Sequence, residues 1–324
     1  MSLATICLPV QPELKEVESI LASDAVSSVE LVNSAARYVL QNGGKRIRPA
    51  LLLLVSKMFG ADPASAVRLG AAIEMIHAAS LMHDDVLDNA TLRRGKPSAN
   101  VKWGNQLSIL VGDFLWCRAS QITISHGNGR ILSVMTETVE KTTEGEILEI
   151  IKSNDFNIGE DDYLKIIKLK TAMLFACSCQ IGAIMAGVPE KFEAALKNYG
   201  LDIGIAFQLA DDVLDYISTD DRFGKKTGTD LCEGRLTLPI ILALKKSSIE
   251  EAKIIKETLL ANTLDQSRLS QIKQILKSHG SLEASLESAR TYARRAKTWL
   301  EPFKPSLERD ALISIADYAV SRME

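Results

Sequence analysis

Two pentapeptides carry the residues best suited to chemistry: Asp84, Asp85, Val86, Leu87, Asp88 and, much later, Asp211, Asp212, Val213, Leu214, Asp215. Apolar residues at helical spacing precede each copy (Leu69, Ile73 and Ile76; Ile203 and Phe207). The first and last Asp of each copy are therefore i and i+4 on one helical face, with the middle Asp on its flank. Two unit charges about 4 Å apart repel by roughly 4 kcal/mol at an effective dielectric of about 20, so three clustered carboxylates call for a cation. Oxygen donors with neither Cys nor a His pair beside them suit Mg²⁺ better than zinc. A lone cluster reads equally as a solvated acidic helix end. Literal repetition behind two apolar runs favours two halves of one cation site.

Separate basic groups stand near these acids. Gly43 and Gly44 lead into Lys45, Arg46 and Arg48, and a glycine turn lets backbone approach a ligand while an Arg fork grips phosphate oxygens. Arg93 and Arg94 follow Asp88 directly; a phosphate bridged by Mg²⁺ on one side and Arg on the other reconciles the charges. The stretch 224–235, with Lys225 and Arg235, reads as a phosphate-handling lid or as a plain surface loop. Lys170, beside Thr171, either snorkels from an apolar helix or reaches a phosphate. His77 and Gln208 lie near the acidic faces, as cavity-lining groups or satisfied core polar residues.

The elements that position these groups are helical. Periodicity predicts helices over 13–23, 27–42, 49–60, 64–88, 98–121, 128–153, 160–186, 190–218, 235–246, 249–261, 266–278, 282–299 and 307–322, with no hairpin signal. The expectation is an all-α fold, one helical bundle over 1–324 around a deep central cavity, with no linker and no repeat beyond the pentapeptide. Among 324 residues, 46% are hydrophobic and 24% charged, which is ordinary for a globular protein. A net charge of −3 offers no electrostatic case for nucleic acid or an anionic membrane. Five scattered cysteines (Cys7, Cys117, Cys177, Cys179, Cys232) read as reduced, mostly packed thiols, which fits a cytoplasmic setting. The N-terminal stretch resembles neither a signal nor a transit peptide, and the apolar runs 50–55 and 107–111 are too short to span a membrane.

No Walker loop, Rossmann fingerprint or Ser/His/Asp arrangement is present. Carboxylate faces ready for Mg²⁺, together with several Lys and Arg, fit departure of a diphosphate whose developing charge the cations stabilise, above an apolar cavity that shelters a carbocation.

With these residues in view the chain resembles the trans-isoprenyl diphosphate synthases, most closely the polyprenyl (octaprenyl-type) branch. The resemblance runs through GGKRIRP, IEMIHAASLMHDDVLDNATLRRG, NQLSILVGDF, EGE, KT, FQLADDVLDY and GKKTGTDLCEGRLTLP. It implies that Asp84, Asp85, Asp88, Asp211, Asp212 and Asp215 hold two or three Mg²⁺ ions on an allylic diphosphate. It further implies that Lys45, Arg48, His77 and Arg94 bind isopentenyl diphosphate, and that Arg93, Lys170, Gln208 and Lys225 serve the allylic side, with Thr171 and Gln208 flanking the reacting carbons. Arg235 stands where the family usually has Lys. A homodimer is implied, for which 107–116 is either an interface helix or core, as is transient membrane contact for product release and a product used for a quinone side chain or another lipid.

The alternatives are a geranylgeranyl-type short-chain synthase, a class I terpene cyclase and a non-catalytic partner subunit. A cyclase needs no isopentenyl site, and its second metal motif differs; partner subunits usually lose the Asp motifs. Ser80 lies one turn before Asp84 with Ala79 beside it, where short-chain members carry aromatic residues. By the same resemblance Met135 matches a cavity floor, and Thr123 stands where a bulky Met is usual. A long product is therefore expected, and substituting Ala79→Phe should shorten it sharply; an unchanged product ladder by mass spectrometry would refute this placement of the wall.

Overall fold

The helix that ends in the first acidic motif is fixed at its start. Asp62 accepts the Ser65 amide at 2.8 Å, and Pro63 fills a first-turn position that needs no amide hydrogen. Its 25 residues span roughly 37 Å. The computed structural model describes residues 1–23, 27–217, 227–261 and 264–321, so Lys225 lies outside the described residues.

In chain order the helices begin with α1 (Leu3–Ile6), α2 (Gln11–Ser23), α3 (Glu30–Gln41), α4 (Ile47–Met58) and α5 (Pro63–Leu87). There follow α6 (Ala99–Trp103), α7 (Asn105–Ser125), α8 (Gly129–Lys152), α9 (Glu160–Ile167), α10 (Met173–Met185) and α11 (Glu190–Ile217). The last part holds α12 (Thr229–Cys232), α13 (Leu238–Leu244), α14 (Ile249–Leu260), α15 (Gln266–Ser278), α16 (Ser281–Thr298) and α17 (Leu307–Ser321). The fold is all-α.

α5 is apolar nearly all round because it runs through the interior, packed chiefly on α7 and α4. α11 packs on α10 and α16, so the two motif helices stand apart. One buried apolar cluster gathers α4, α5, α7 and α10, a second gathers α9, α13, α15 and α16, and α11 contributes to both. Among the described residues one helical run, Glu160–Met185, is long and apolar enough to cross a membrane, and 72% of its apolar window is buried inside the protein, as befits a core helix.

Local departures from the sequence expectations bear on the site. The helix read over 98–121 breaks at Gly104 (φ 85°) into α6 and α7. A hairpin does occur: Leu92–Arg93 pairs antiparallel with Lys96–Pro97, and both central residues, Arg94 (φ 53°) and Gly95 (φ 74°), take the positive φ that a tight two-residue turn demands. Arg at the first central position hid it. The run 160–186 contains a π-turn at Lys168–Ala172, between α9 and α10. The helix expected from 235 starts only at Leu238, because Thr237 is its N-cap and Pro239 sits in its first turn. Arg235 is thereby left in a loop.

Gly204 lets α11 lie against the end of the π-turn: a Cβ there would sit 2.5 Å from the Ala172 Cα. Gly204→Ala should therefore cost about 1–3 kcal/mol of stability by overpacking. A urea denaturation midpoint equal to that of the wild type would refute this.

Candidate functional site

Both acidic motifs stand at helix C-termini, where the helix dipole is negative and carboxylates are disfavoured by about 0.3–1 kcal/mol each. Identical letters then meet different partners. In the first motif those partners are cations. The hairpin turns Arg93 back so that its Nε donates to buried Asp85 at 2.8 Å. Asn100 pins the motif by donating to the Asp85 carbonyl at 3.0 Å. Asp88, the C-cap of α5, pairs with Arg235 at 2.6 Å. Burial, with Glu146 adding to it, pushes Asp84 up to about 7.

In the second motif Asp212 is met by neutral donors. Buried Asp212 accepts from the Tyr163 hydroxyl and, at 2.7 Å, from Gln208 Nε2. Gln208 Oε1 in turn accepts the Thr171 hydroxyl at 2.9 Å. Burial pushes Asp212 up to about 7 against the lowering effect of these two donors. Asp215 accepts the Thr229 and Asp230 amides at 3.2 and 3.1 Å and so holds α12. Asp211 is exposed.

The cations first grouped together have separate fates. Arg46, at φ 49°, turns inward to Glu18, to Glu74 at 2.6 Å and to the Leu40 carbonyl at 2.6 Å, and so braces the fold. Lys45 stands over the rings of Phe207 (5.4 Å) and Tyr318 (5.8 Å), and the Arg48 guanidinium over Phe175 (4.5 Å). Arg48 Nε is buried with no hydrogen-bond partner among the described residues, and burial lowers its pKa to about 10. Gly44 leaves room for Arg94, whose guanidinium lies 3.1 Å from where a Cβ would sit. Burial and the surrounding Arg48, Arg94, Arg93 and Arg46 hold His77 well below the usual imidazole range, so its ring is neutral. Buried Glu74 is the countercharge of this cluster.

Several residues of the site went unassigned in the sequence. Glu146 and Glu149 on α8 form a third acidic wall: Lys170 lies 2.9 Å from Glu146 and pairs with Glu149 as well. Their i, i+3 spacing was readable, but α8 also carries Glu137, Glu140 and Glu144, so the pair resembles a solvated face. Tyr163 sits at an apolar-periodic position and reads as core. Phe175 and Phe207, tilted together at 5.6 Å, form a shelf beside the basic cluster.

A cavity of about 240 Å³ lies behind the first motif. Ile76, Ala79, Ser80 and His83 of α5 line it, with Asp113 and Trp116 of α7 and Val139, Thr142 and Thr143 of α8 opposite. The Ser80 hydroxyl is taken up by the His77 carbonyl at 2.9 Å. Thr123 and Met135 are buried but do not line this space. Met135 is one turn before Val139, and Thr123 is two turns beyond Trp116, so both continue the lining faces.

Among the described residues no three Asp, Glu, His or Cys side chains converge on one metal-sized point as they stand. The donor set is nevertheless all hard oxygen, supplied by two helices held apart, and the countercharges now on the first motif are Arg93 and Arg235. These residues fit a divalent cation that binds together with a polyanion.

An all-α bundle whose two long acidic-ended helices meet at one basic residue, Arg235, is of the isoprenoid synthase type. The chain belongs to the polyprenyl synthetase family, whose pattern matches residues 29–276. It is 38% identical over 310 residues to the octaprenyl diphosphate synthase of Escherichia coli (strain K12), covering 96% of each chain. It is also 36% identical over 297 residues to a short chain isoprenyl diphosphate synthase of Methanothermobacter thermautotrophicus, covering 90% of this chain and 91% of that one. The crystal structure of a polyprenyl synthase from Caulobacter crescentus CB15, complexed with calcium and isoprenyl diphosphate, matches with a TM-score of 0.95 at 36% identity, over 100% of this chain and 98% of that one.

A divalent cation takes the ionised carboxylate, and in the metal-free protein burial pushes Asp84 up to about 7 and so towards its protonated form. Ionising it above the ordinary Asp range costs stability that the cation restores. Apparent Mg²⁺ affinity should therefore fall as pH drops through 7, up to about tenfold per unit for each proton displaced, and level off above about pH 8. Calorimetry in buffers of different ionisation enthalpy reads the released protons; an affinity independent of pH between about 6 and 8 would contradict the assignment.

Proposed function

We propose that this prenyltransferase is an all-trans polyprenyl diphosphate synthase, joining isopentenyl diphosphate to an allylic diphosphate such as farnesyl diphosphate and repeating the step to a long chain. The observation that carries this reading is the meeting of the two acidic motifs at Arg235. Arg235 pairs with Asp88 and, at 4.0 Å, with Asp230, whose amide is held by Asp215; Arg48 and Arg94 surround a neutral His77, and a cavity opens beside Ala79 and Ser80.

Asp84, Asp88 and Asp211 are the carboxylates we assign to two or three Mg²⁺ ions. Asp85, Asp212 and Asp215 orient the others, since their oxygens are turned to Arg93, to Tyr163 and Gln208, and to the α12 amides. Bound there, the ions supply positive charge to the leaving diphosphate. Arg93 and Arg235 add their own once released from Asp85 and Asp88, Lys170 adds its charge from its place beside Glu149, and Lys225 serves the same side. The allylic C–O bond breaks with its electron pair leaving on the diphosphate, and the isopentenyl double bond attacks the resulting carbocation. Thr171 and Gln208, linked to each other, flank the reacting carbons. The proton lost in forming the new double bond goes to the departing diphosphate, which is why no dedicated base is needed. The basic cluster holds the isopentenyl diphosphate, with Phe175 and Phe207 screening it from the acids.

The sharing of α11 by both core clusters supports one domain over 1–324. The stretch 107–116 has two faces: Ser108, Val111, Gly112 and Leu115 are buried, while Ile109, Leu110 and Trp116 are exposed. That second face, with exposed Ile147, Ile150 and Ile151 on α8, supports a homodimer. Five free thiols support a reducing compartment such as the cytoplasm.

The small wall at Ala79 and Ser80 supports a product of about thirty-five to fifty carbons, a range taken by analogy with the family. Purified protein given Mg²⁺, farnesyl diphosphate and isopentenyl diphosphate should yield that product, and should release no diphosphate when isopentenyl diphosphate is omitted. Products that stop at fifteen or twenty carbons would overturn the long-chain reading, and release from the allylic substrate alone would favour a cyclase.

A further inference from the structure

The acids of α8 have a duty beyond those of the two repeated motifs. Glu146 and Glu149 share one face, three residues apart. Gly145, just before Glu146, brings α8 into backbone contact with the π-turn: a Cβ there would lie 2.4 Å from the Lys170 amide nitrogen. Lys170 is thus delivered by the π-turn straight onto the acidic pair, 2.9 Å from Glu146 and in contact with Glu149. From the opposite direction Arg235 reaches in from its loop, with Nη2 2.6 Å from Asp88 and Nε 3.5 Å from Glu149. Among the described residues Glu149 is the one acid paired with both cations. Lys170 and Arg235 are close enough to oppose each other's charge, so without a carboxylate between them they would separate.

We propose that Glu149 is a positioning residue that holds Lys170 and Arg235 together beside Asp88, so that both converge on the diphosphate of the allylic substrate. The inference rests on the reading of this cleft as a prenyl diphosphate site. Glu146, which touches only Lys170, has a lesser share. The electrostatic sign makes the idea testable. If Glu149 contributed nothing but negative charge, its removal would tighten binding of a diphosphate nearby. If it positions the two cations, its removal weakens that binding.

The experiment compares wild type, Glu149→Gln, Glu149→Asp, Glu146→Gln and Glu140→Gln, the last removing the same charge from an exposed site on α8. Affinity for inorganic diphosphate with Mg²⁺ is measured by calorimetry, and KM for each substrate is measured separately. For Glu149→Gln, diphosphate affinity should fall about tenfold or more, as for loss of a residue supporting a metal-linked site. KM for the allylic substrate should rise with it, while KM for isopentenyl diphosphate stays within about twofold. Glu149→Asp should be intermediate, Glu146→Gln milder, and Glu140→Gln like wild type. Should Glu149→Gln fail to fold, the Asp variant decides by the same readouts. Equal or tighter diphosphate binding in the Glu149 variants, or a rise in both KM values alike, would overturn the proposal while wild-type activity leaves the functional reading intact. A wild-type protein without prenyl transfer would instead overturn that reading.

Discussion

Placing six carboxylates at the C-terminal ends of two long helices is the constraint from which the rest of this site follows. Helix dipoles and mutual repulsion both disfavour the arrangement, and neither is relieved by solvent for Asp85 and Asp212, which are buried. Each charge must be met by a cation, a hydrogen-bond donor or a proton. All three solutions occur. Arg93 and Arg235 meet Asp85 and Asp88, neutral donors meet Asp212 and Asp215, and Asp84 is pushed towards its protonated form.

That difference assigns unequal duties to two identical pentapeptides. Tyr163 and the Gln208–Thr171 link are tied into packed helices and orient the second motif whatever else is bound. The Arg partners of the first motif reach it from a hairpin and a loop, on long side chains that a metal-bound polyanion can draw away. Asp212 is therefore held preformed by neutral donors, while Asp85 and Asp88 are stored as ion pairs. Arg235 is central to the second arrangement. It touches Asp88, Glu149 and, at 2.9 Å, Glu233, and a lysine ammonium, lacking the planar fork, could not span that set.

The sequence made some of this legible and concealed the rest for identifiable reasons. Helical periodicity located α5 and α11 and put the acids on a face, because a buried helix leaves a regular apolar record. Lys45, Arg48, His77 and Arg94 could be grouped only through the family resemblance; the bare run of cations around Arg46 did not reveal that Arg46 turns away to Glu18 and Glu74. Glu146 and Glu149 were hidden among other acids of α8, whose periodicity cannot distinguish a wall of the cleft from a wet surface. Tyr163 was hidden for the opposite reason: an aromatic residue at a core position is fully explained by packing until the partner of its hydroxyl is seen. The π-turn and the hairpin leave almost no compositional mark, yet each aims a functional residue.

The π-turn shows how a small backbone irregularity does what sequence alone does not. In a regular helix Lys170 and Thr171 would point about 100° apart with no choice of partners. Here the wider turn lies against Gly145 on one side and, through Ala172, against Gly204 on the other, two glycines on different helices whose missing Cβ atoms allow the close approach. Lys170 consequently faces the acids of α8, while Thr171 faces Gln208 on α11. One irregular turn thus couples the wall that stores cations to the motif that is held rigid. Because the two glycines set its position from both sides, the spacing between those walls is fixed by backbone contact rather than by the charges it must organise.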